Sequence, residues 1–221
     1  MPKPVVKRPR AYDSSRRREQ ARATRLHVLR TAVDLFVRQG YARTTIREIA
    51  TAAGVSAETV YASFKNKATL LHRAWDITVG GDDEEVVFHE RPEIRALTAE
   101  PDLRKRLRLQ APISTATARR TAPFQIMLLA AAGAEPEAAS MLEEIGRQRL
   151  AGLTVMARQA AQTGQLAVSE EQARDFMWST TDGMLWHRLV SERGWSDDEY
   201  ADWLARIWIA MLVGPRRRTT R

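Results

Sequence analysis

The sequence contains no cysteine, and this absence excludes several kinds of site at once. Without thiols there is no disulfide framework, no cysteine-based zinc site and no thiol nucleophile. Histidine is also scarce, and His27, His72, His89 and His187 are scattered without the spacing of metal ligands. The chain has no glycine-rich phosphate-binding loop and no nucleophile-elbow motif. We therefore expect no enzyme activity, no metal and no cofactor.

Long apolar runs are missing too. No uninterrupted apolar stretch approaches the roughly 18 residues that a bilayer span needs, and the basic first ten residues lack the apolar region of a signal peptide. Hydrophobic residues make up 44% of the 221 and charged residues 28%, which is typical of a globular chain rather than a disordered one. The sequence predicts a cytoplasmic protein with one large domain or a small domain joined to a larger one.

The net charge of +8 is unevenly distributed along the chain. Residues 1–67 contain 15 Lys and Arg against 5 Asp and Glu, whereas residues 68–215 contain 16 against 22. Residues 216–221 add four arginines. A basic segment on a mildly acidic body indicates an anionic partner for that segment alone. Charge by itself does not separate nucleic acid from an acidic membrane surface, and a soluble protein with a basic end is a further alternative.

Apolar residues recur at helical spacing throughout the chain, without an alternating strand pattern or an internal repeat. Leu26, Leu29, Val33 and Phe36, for example, share one face of a helix. Capping signals and glycine stops predict helices over residues 16–39, 46–53, 57–64, 68–79, 102–118, 122–132, 136–162, 169–192 and 196–213. The predicted fold class is all-α, with nine or ten helices.

Residues 44–67 show the pattern of a helix-turn-helix. Ala50 is small where two short helices would cross, and Gly54 stands at the turn between them, where a positive φ costs glycine least. Val55 can fill the core under that turn, and Val60 is predicted to face the same core. Small residue, glycine and valines at these offsets favour a helix-turn-helix over a plain amphipathic hairpin of helices.

At these residues the chain resembles the tetracycline-repressor-like (TetR) family of one-component regulators. The resemblance covers about 50 residues and rests on motifs in the family's order and spacing: Thr44-Thr45-Ile46, Glu48-Ile49-Ala50, Ala53-Gly54-Val55-Ser56, and Thr59-Val60-Tyr61 leading to Phe64-Lys65-Asn66-Lys67. It implies a three-helix DNA-binding head, a larger helical ligand-binding body and a homodimer. The expected division is a mobile basic arm (1–15), the head (16–67), the body (68–215) and a basic tail (216–221).

The second helix of the motif is expected to enter the major groove with its first residues towards base edges. Ala57 and the Thr59 methyl suit a thymine methyl, Glu58 suits a cytosine amine, and Tyr61 suits a phosphate. The full set of candidate DNA contacts is Arg43, Thr44, Thr45, Ser56, Ala57, Glu58, Thr59, Tyr61, Lys65 and Lys67. No Arg, Lys, Asn or Gln lies between Ser56 and Phe64. We therefore expect modest direct readout, supplemented by the arm in a minor groove or by DNA shape.

The last two predicted helices are rich in apolar residues on most of their surface. Such helices are either central in a body or shared with a partner, and the resemblance favours a four-helix dimer interface. An apolar ligand pocket with a few polar groups is the other expectation for the body. Its candidate residues, each of which can also be plain core, are Trp75, Phe124, Met127, Trp178, Thr181, Asp182, Trp186 and His187.

The sequence thus predicts a transcriptional regulator, in the first place a repressor. It would bind palindromic operator DNA as a homodimer and be released by a small-molecule effector. Effector binding would shift the helix that joins body to head and change the separation of the two recognition helices. The alternative is a helical small-molecule or lipid-binding protein whose basic N-terminus contacts anionic membranes.

Overall fold

The computed structural model of the protein describes residues 12–81 and 92–213, and these residues form an all-helical fold. The helices are α1 (Tyr12–Gln39), α2 (Ile46–Ala52), α3 (Ala57–Phe64), α4 (Lys67–Gly80), α5 (Pro92–Ala99), α6 (Leu103–Ala131), α7 (Pro136–Ala161), α8 (Glu170–Thr180), α9 (Gly183–Trp186) and α10 (Asp197–Leu212). A π-helical segment, His187–Glu192, extends α9. The predicted all-α class is confirmed. No helix in the described ranges combines the length and the apolar content of a membrane-spanning segment.

We call α1–α3 the head and α4–α10 the body. Helix α1 begins at Tyr12, so the last residues of the predicted arm (1–15) are helical. The rest of that arm and the predicted tail (216–221) lie outside the described residues. The other helices of the head and helix α4 begin and end within a residue of their predicted bounds.

Helix α6 is continuous, and the prediction of two helices over 102–118 and 122–132 is wrong. Pro112 and Pro123 lie inside it, and both are exposed. Each proline removes a hydrogen bond to the carbonyl four residues earlier, and the residues that carry those carbonyls, Arg108 and Arg119, are exposed to water. The buried face continues through the predicted break at Ala111, Thr115, Ala118 and Ala122. Packing of this face therefore holds the helix together across both prolines.

The single helix predicted over 169–192 is interrupted, which is a second correction. Helix α8 ends at Thr180, and the Asp182 carboxylate caps α9 by accepting from the Met184 amide at 2.7 Å. Arg149 of α7 joins the two pieces, because its guanidinium donates to the Trp178 carbonyl at 2.7 Å and to the Asp182 carboxylate at 3.3 Å. A side chain from another helix thus stabilises the break.

The buried residues form two clusters. The first connects head and body: the Phe124 ring of α6 lies 6.5 Å from the Phe36 ring of α1 and 5.7 Å from the Trp75 ring of α4, measured between centroids. The second lies between α6, α7, α8 and α10. There Trp208 is fully buried, and its indole N–H donates to the Thr180 hydroxyl at 2.8 Å. Helix α6 contributes to both clusters and so forms a rigid link between them.

Candidate nucleic-acid interface

Helices α2 and α3 form the helix-turn-helix, and local hydrogen bonds define where each helix begins. Thr45 opens α2 with a capping box: its hydroxyl accepts from the Glu48 amide at 3.2 Å, and the Glu48 carboxylate accepts from the Thr45 amide at 2.7 Å. Gly54 has φ +65° at the turn, and the Val55 amide donates to the Ala50 carbonyl at 3.0 Å. The residues that the sequence pattern singled out therefore make the turn as predicted.

The inner face of the helix-turn-helix is a closed apolar core. Ile49 and Val60 are fully buried, and Phe64 is 1% exposed. Because these residues place the inner face of α3 against α1 and α2, its outer face is left to solvent. Tyr61 on that face is 53% exposed. So large an exposed fraction is unusual for an aromatic side chain unless a partner molecule covers it. The fold thus leaves one polar face of the short helix α3 accessible, as contact with base edges in a DNA groove requires.

The first turn of α3 presents short polar groups. The Ser56 hydroxyl caps the helix by accepting from the Thr59 amide at 3.2 Å, and the two hydroxyl oxygens are 3.1 Å apart. Hydrogen bonds from the Glu58 amide and from Ser56 lower the pKa of the exposed Glu58 carboxyl. Glu58 therefore offers a charged acceptor, while Ala57 is half-buried against the head core.

The two lysines that follow α3 differ in their environment. Lys65 is exposed and has φ +63°, so its side chain leaves the helix end towards solvent. The Lys67 ammonium lies 4.0 Å from the centroid of the Tyr41 ring, and partial burial lowers its pKa. Lys65 is thus accessible from solvent, whereas Lys67 is folded back onto the head.

Thr44 is a correction to the predicted set of DNA contacts. It is fully buried, and its hydroxyl donates to the Gly40 carbonyl at 2.8 Å and accepts from the Gln39 side chain at 3.3 Å. Its side chain is not accessible to a phosphate, because it ties the loop between α1 and α2 together. Arg43 beside it is exposed, with its Nε donating to the Gln39 carbonyl at 2.9 Å.

Replacing Thr44 with valine is expected to lower the free energy of unfolding by about 1–3 kcal/mol, because a methyl group would leave two part-buried polar groups, on Gln39 and Gly40, without their partner. Urea denaturation measures the change. Thr51→Val is the matched control, since the Thr51 hydroxyl bonds to the Arg47 carbonyl at an exposed position. Equal effects of the two substitutions would contradict the assignment.

Tyr41 provides a pH-dependent test of the head's packing. Burial, followed by the nearby Glu137 and Glu135 charges, raises the pKa of the Tyr41 phenol from 10.0 to about 12. The folded state thus favours the neutral phenol, so this contribution to stability is complete below pH 10 and is lost as the pH rises towards 12. The thermal unfolding midpoint of the wild type is expected to fall between pH 10 and pH 12, and that of Tyr41→Phe is expected to fall less. Tyr61→Phe, at an exposed position, is the control and should not change the slope.

The structure adds two basic residues that the sequence pattern did not single out. Arg47 is exposed in the first turn of α2, next to the turn that carries Arg43. The Arg25 guanidinium of α1 lies 5.4 Å from the centroid of the Phe64 ring, so α1 also contributes charge close to α3. The sequence signal that could have indicated Arg47 is its position in the first helix of the helix-turn-helix. Arg25 is brought close to α3 only by the packing of α1 on the head.

The eight residues predicted for a ligand pocket do not converge on one site. Trp75 and Phe124 are core, the Thr181 hydroxyl donates to the Met177 carbonyl at 2.8 Å, and Asp182 caps α9. Trp178 is 41% exposed under the Arg149 guanidinium. None of these five residues lines the cleft or the cavity described below, and their role in a pocket stays a prediction. The remaining three, Met127, Trp186 and His187, line an open cleft of about 640 Å³ between head and body.

A smaller and more enclosed cavity lies between α5, α6 and α7, with a volume of about 90 Å³. Its lining is mainly apolar, and Gln110 is the buried exception, 7% exposed with its amide nitrogen 3.6 Å from the Met156 sulfur. A thioether is a weak acceptor, so within the described ranges this buried amide nitrogen has no strong hydrogen-bond partner. The sequence pattern did not identify this cavity. In residues 12–81 and 92–213 no three His, Asp or Glu side chains are placed to hold a metal ion.

Comparison with known proteins agrees with this geometry. Residues 28–74 match the family described as bacterial regulatory proteins, tetR family. The chain is 39% identical over 61 residues to the HTH-type transcriptional regulator AcrR of Shigella flexneri, a segment that covers 28% of each chain. The match thus spans less than a third of the relative's own length.

Two solved structures share the fold over most of the chain. NalD, the secondary repressor of the MexAB-OprM multidrug efflux pump in Pseudomonas aeruginosa, has a TM-score of 0.61 at 19% identity, covering 86% of this chain and 97% of NalD. The SmeT–triclosan complex has a TM-score of 0.64 at 21% identity, covering 88% and 93%. At these identities the likeness concerns the fold alone. Residues 28–74 thus match the tetR family of bacterial regulatory proteins in sequence and contain its helix-turn-helix.

Proposed function

We propose that the protein is a transcriptional repressor that binds palindromic operator DNA as a homodimer and is released by a small-molecule effector. The observation that carries the proposal is the exposed outer face of α3, bordered by basic residues while its inner face closes the head core. Residues 16–67 are the DNA-binding unit in this account, and the later helices dimerise and bind the effector. NalD, described as a repressor, shares the fold and supports the direction of regulation.

DNA binding in this proposal divides into two parts. Arg43, Arg47 and Lys65 are exposed around the helix-turn-helix and would neutralise phosphates. Glu58, Thr59 and the exposed part of the half-buried Ala57 on α3 would face base edges. Because none of these three is a bidentate donor, phosphate contacts dominate the affinity and base contacts contribute modest selectivity.

A partly exposed apolar stripe on α10 supports dimerisation. Trp203 and Ile207 are half-buried, and Met211, one further turn along the same face, is 54% exposed. The opposite face of α10 packs on α6 and α8. An apolar stripe of this kind on a monomer is typical of an interface, and a two-fold axis would pair it with the same stripe of a second copy.

The dimer has a direct test. Met211→Asp is expected to convert the protein to a monomer in sedimentation at micromolar concentration, because the carboxylate would be desolvated at the interface. Arg188→Asp, on an exposed position outside the stripe, is the control. A wild-type monomer would refute dimerisation.

The enclosed cavity of α5, α6 and α7 suits an effector. Its apolar lining and the weakly bonded Gln110 amide favour a small apolar compound with one hydrogen-bonding group. SmeT holds triclosan, a small molecule, on the same fold. The volume of about 90 Å³ is small, so effector binding would move α6 away from α7. Since Phe124 joins α6 to α1 and α4, that shift would move the head and change the separation of the recognition helices.

Duplex binding separates this proposal from the membrane alternative. Fluorescence anisotropy of a labelled genomic duplex library should show retention that falls with salt, and vesicles containing anionic lipid should not compete with it. Arg47→Ala is expected to reduce the slope of log affinity against log salt by about two, because a symmetric dimer loses one phosphate contact in each protomer. Arg193→Ala removes the same charge at an exposed position on the body and should leave the slope unchanged. Vesicle binding without duplex retention would contradict the proposal.

A further inference from the structure

The open cleft between head and body is distinct from the enclosed cavity of α5, α6 and α7. One wall is the end of α1 with the loop that follows it, residues 37–43, and the other is α6 with the α9 region. The volume of about 640 Å³ is within the range of small-molecule sites. A molecule in this cleft would touch both the DNA-binding unit and the helix that links the two cores.

The body wall of the cleft is apolar. Pro123, Ile126 and Met127 follow one another along α6, and Trp186 of α9 completes the surface. The Trp186 indole is held in place by donating to the Asp197 carboxylate at 2.8 Å. This wall therefore offers a preformed surface for a flat or aliphatic hydrocarbon group.

The rim of the cleft is basic. Arg38 lines it and pairs with Asp34 at 2.7 Å, and the His187 Nε2 lies 3.4 Å from the Glu192 carboxylate. Arg43 lines it as well, but its Nε donates to a backbone carbonyl, and within residues 12–81 and 92–213 no carboxylate forms an ion pair with it. Among the described residues, Arg43 is thus the rim arginine without an ion-pair partner.

We propose that the cleft binds an amphipathic organic anion, with its apolar part on Met127 and Trp186 and its carboxylate or sulfonate on Arg43. The inference rests on the proposed function, in which Arg43, in the loop before α2, also contacts an operator phosphate. A bound anion competes with that phosphate for the same guanidinium. The cleft is therefore a second regulatory site, at which the ligand opposes DNA binding directly rather than through a movement of α6.

The alternative ligand charges fit less well. A cation would face Arg38 and Arg43 across the rim, where like charges disfavour binding. A neutral apolar molecule would cover the hydrocarbon wall and gain nothing from the arginines. The expected order of affinity for one apolar skeleton is therefore anionic, then neutral, then cationic.

The site can be probed with 1-anilinonaphthalene-8-sulfonate and its neutral parent, N-phenyl-1-naphthylamine, in fluorescence titrations of the full chain. Ala130 is an exposed residue of α6 that lines the cleft, whereas Ala116 is an exposed residue of α6 outside it. Ala130→Glu is expected to weaken binding of the sulfonate about tenfold or more through bulk and like charge. Ala116→Glu should leave it unchanged. Arg43→Gln should weaken the sulfonate and not the neutral parent. Equal sulfonate affinity in wild type and Ala130→Glu would overturn the site.

A second arm measures coupling to DNA. Saturating sulfonate is expected to weaken retention of a duplex by wild type about fivefold or more and to leave Ala130→Glu unaffected. Sulfonate binding in the cleft without an effect on duplex affinity would overturn the competition. If no duplex is retained at all, the proposed function fails while the Ala130→Glu result still decides the site. If duplex is retained and the sulfonate ignores Ala130→Glu, the site fails and the proposed function stands.

Discussion

Replacing Phe124 with alanine is expected to lower the free energy of unfolding by about 3–5 kcal/mol, among the largest effects of any single substitution in this chain. Phe124 is fully buried, and its ring contacts Phe36 of the head and Trp75 of α4. Its removal would leave a cavity where head and body meet. Urea denaturation with purified protein measures the change.

The same substitution tests whether this contact couples the two parts. Leu129→Ala is the matched control, because Leu129 is on α6 but 51% exposed, and it should change stability by no more than about 0.5 kcal/mol. Phe124→Ala is expected to weaken the effect of an effector on duplex affinity as well. If Phe124→Ala lowers the free energy of unfolding by less than about 1 kcal/mol, Phe124 is not the central contact between head and body.

Trp208→Ala, in the second core cluster, is expected to lower the free energy of unfolding by about 3–5 kcal/mol. Trp208 is fully buried, and its indole N–H donates to the Thr180 hydroxyl at 2.8 Å where α8 ends. The substitution removes both the packing of α10 on α6 and the bond that joins α10 to the end of α8. Loss of this support would also weaken the dimer, because the apolar stripe lies on the same helix.

Trp208→Phe separates the two contributions, since it keeps most of the ring and removes the N–H donor. Trp208→Phe is expected to lower the free energy of unfolding by about 1–3 kcal/mol. Arg206→Ala, at an exposed position on α10, is the control and should lie within about 0.5 kcal/mol of wild type. Equal stability of wild type and Trp208→Ala would show that α10 does not depend on this residue.

The head was predictable from the sequence because its signals are local. The capping box of Thr45 and Glu48, the cap of Ser56 and the positive φ of Gly54 each involve residues within a few positions of one another. Helix bounds that depend on such signals agree with the structure to within a residue. The exposure of a residue is not local, and this is why the buried Thr44 was included among the DNA contacts.

The body departed from prediction where distant residues decide the structure. The break after α8 depends on Arg149, which comes from another helix, although Asp182-Gly183 is a local capping signal that was present in the sequence. Conversely, a break was predicted between residues 118 and 122, and packing of the buried face of α6 keeps the helix continuous there. Apolar composition alone does not distinguish aromatic residues that line a cavity from those that are packed in the core.

The most direct test of the central claim is selection of bound sequences from a random duplex pool, at physiological salt and with the full chain. The account predicts enrichment of an inverted repeat whose half-sites are separated by about one helical turn, with weak preferences at each position because α3 has no bidentate donor. Uniform retention of all sequences, or an enriched site without two-fold symmetry, would contradict an operator-binding dimer.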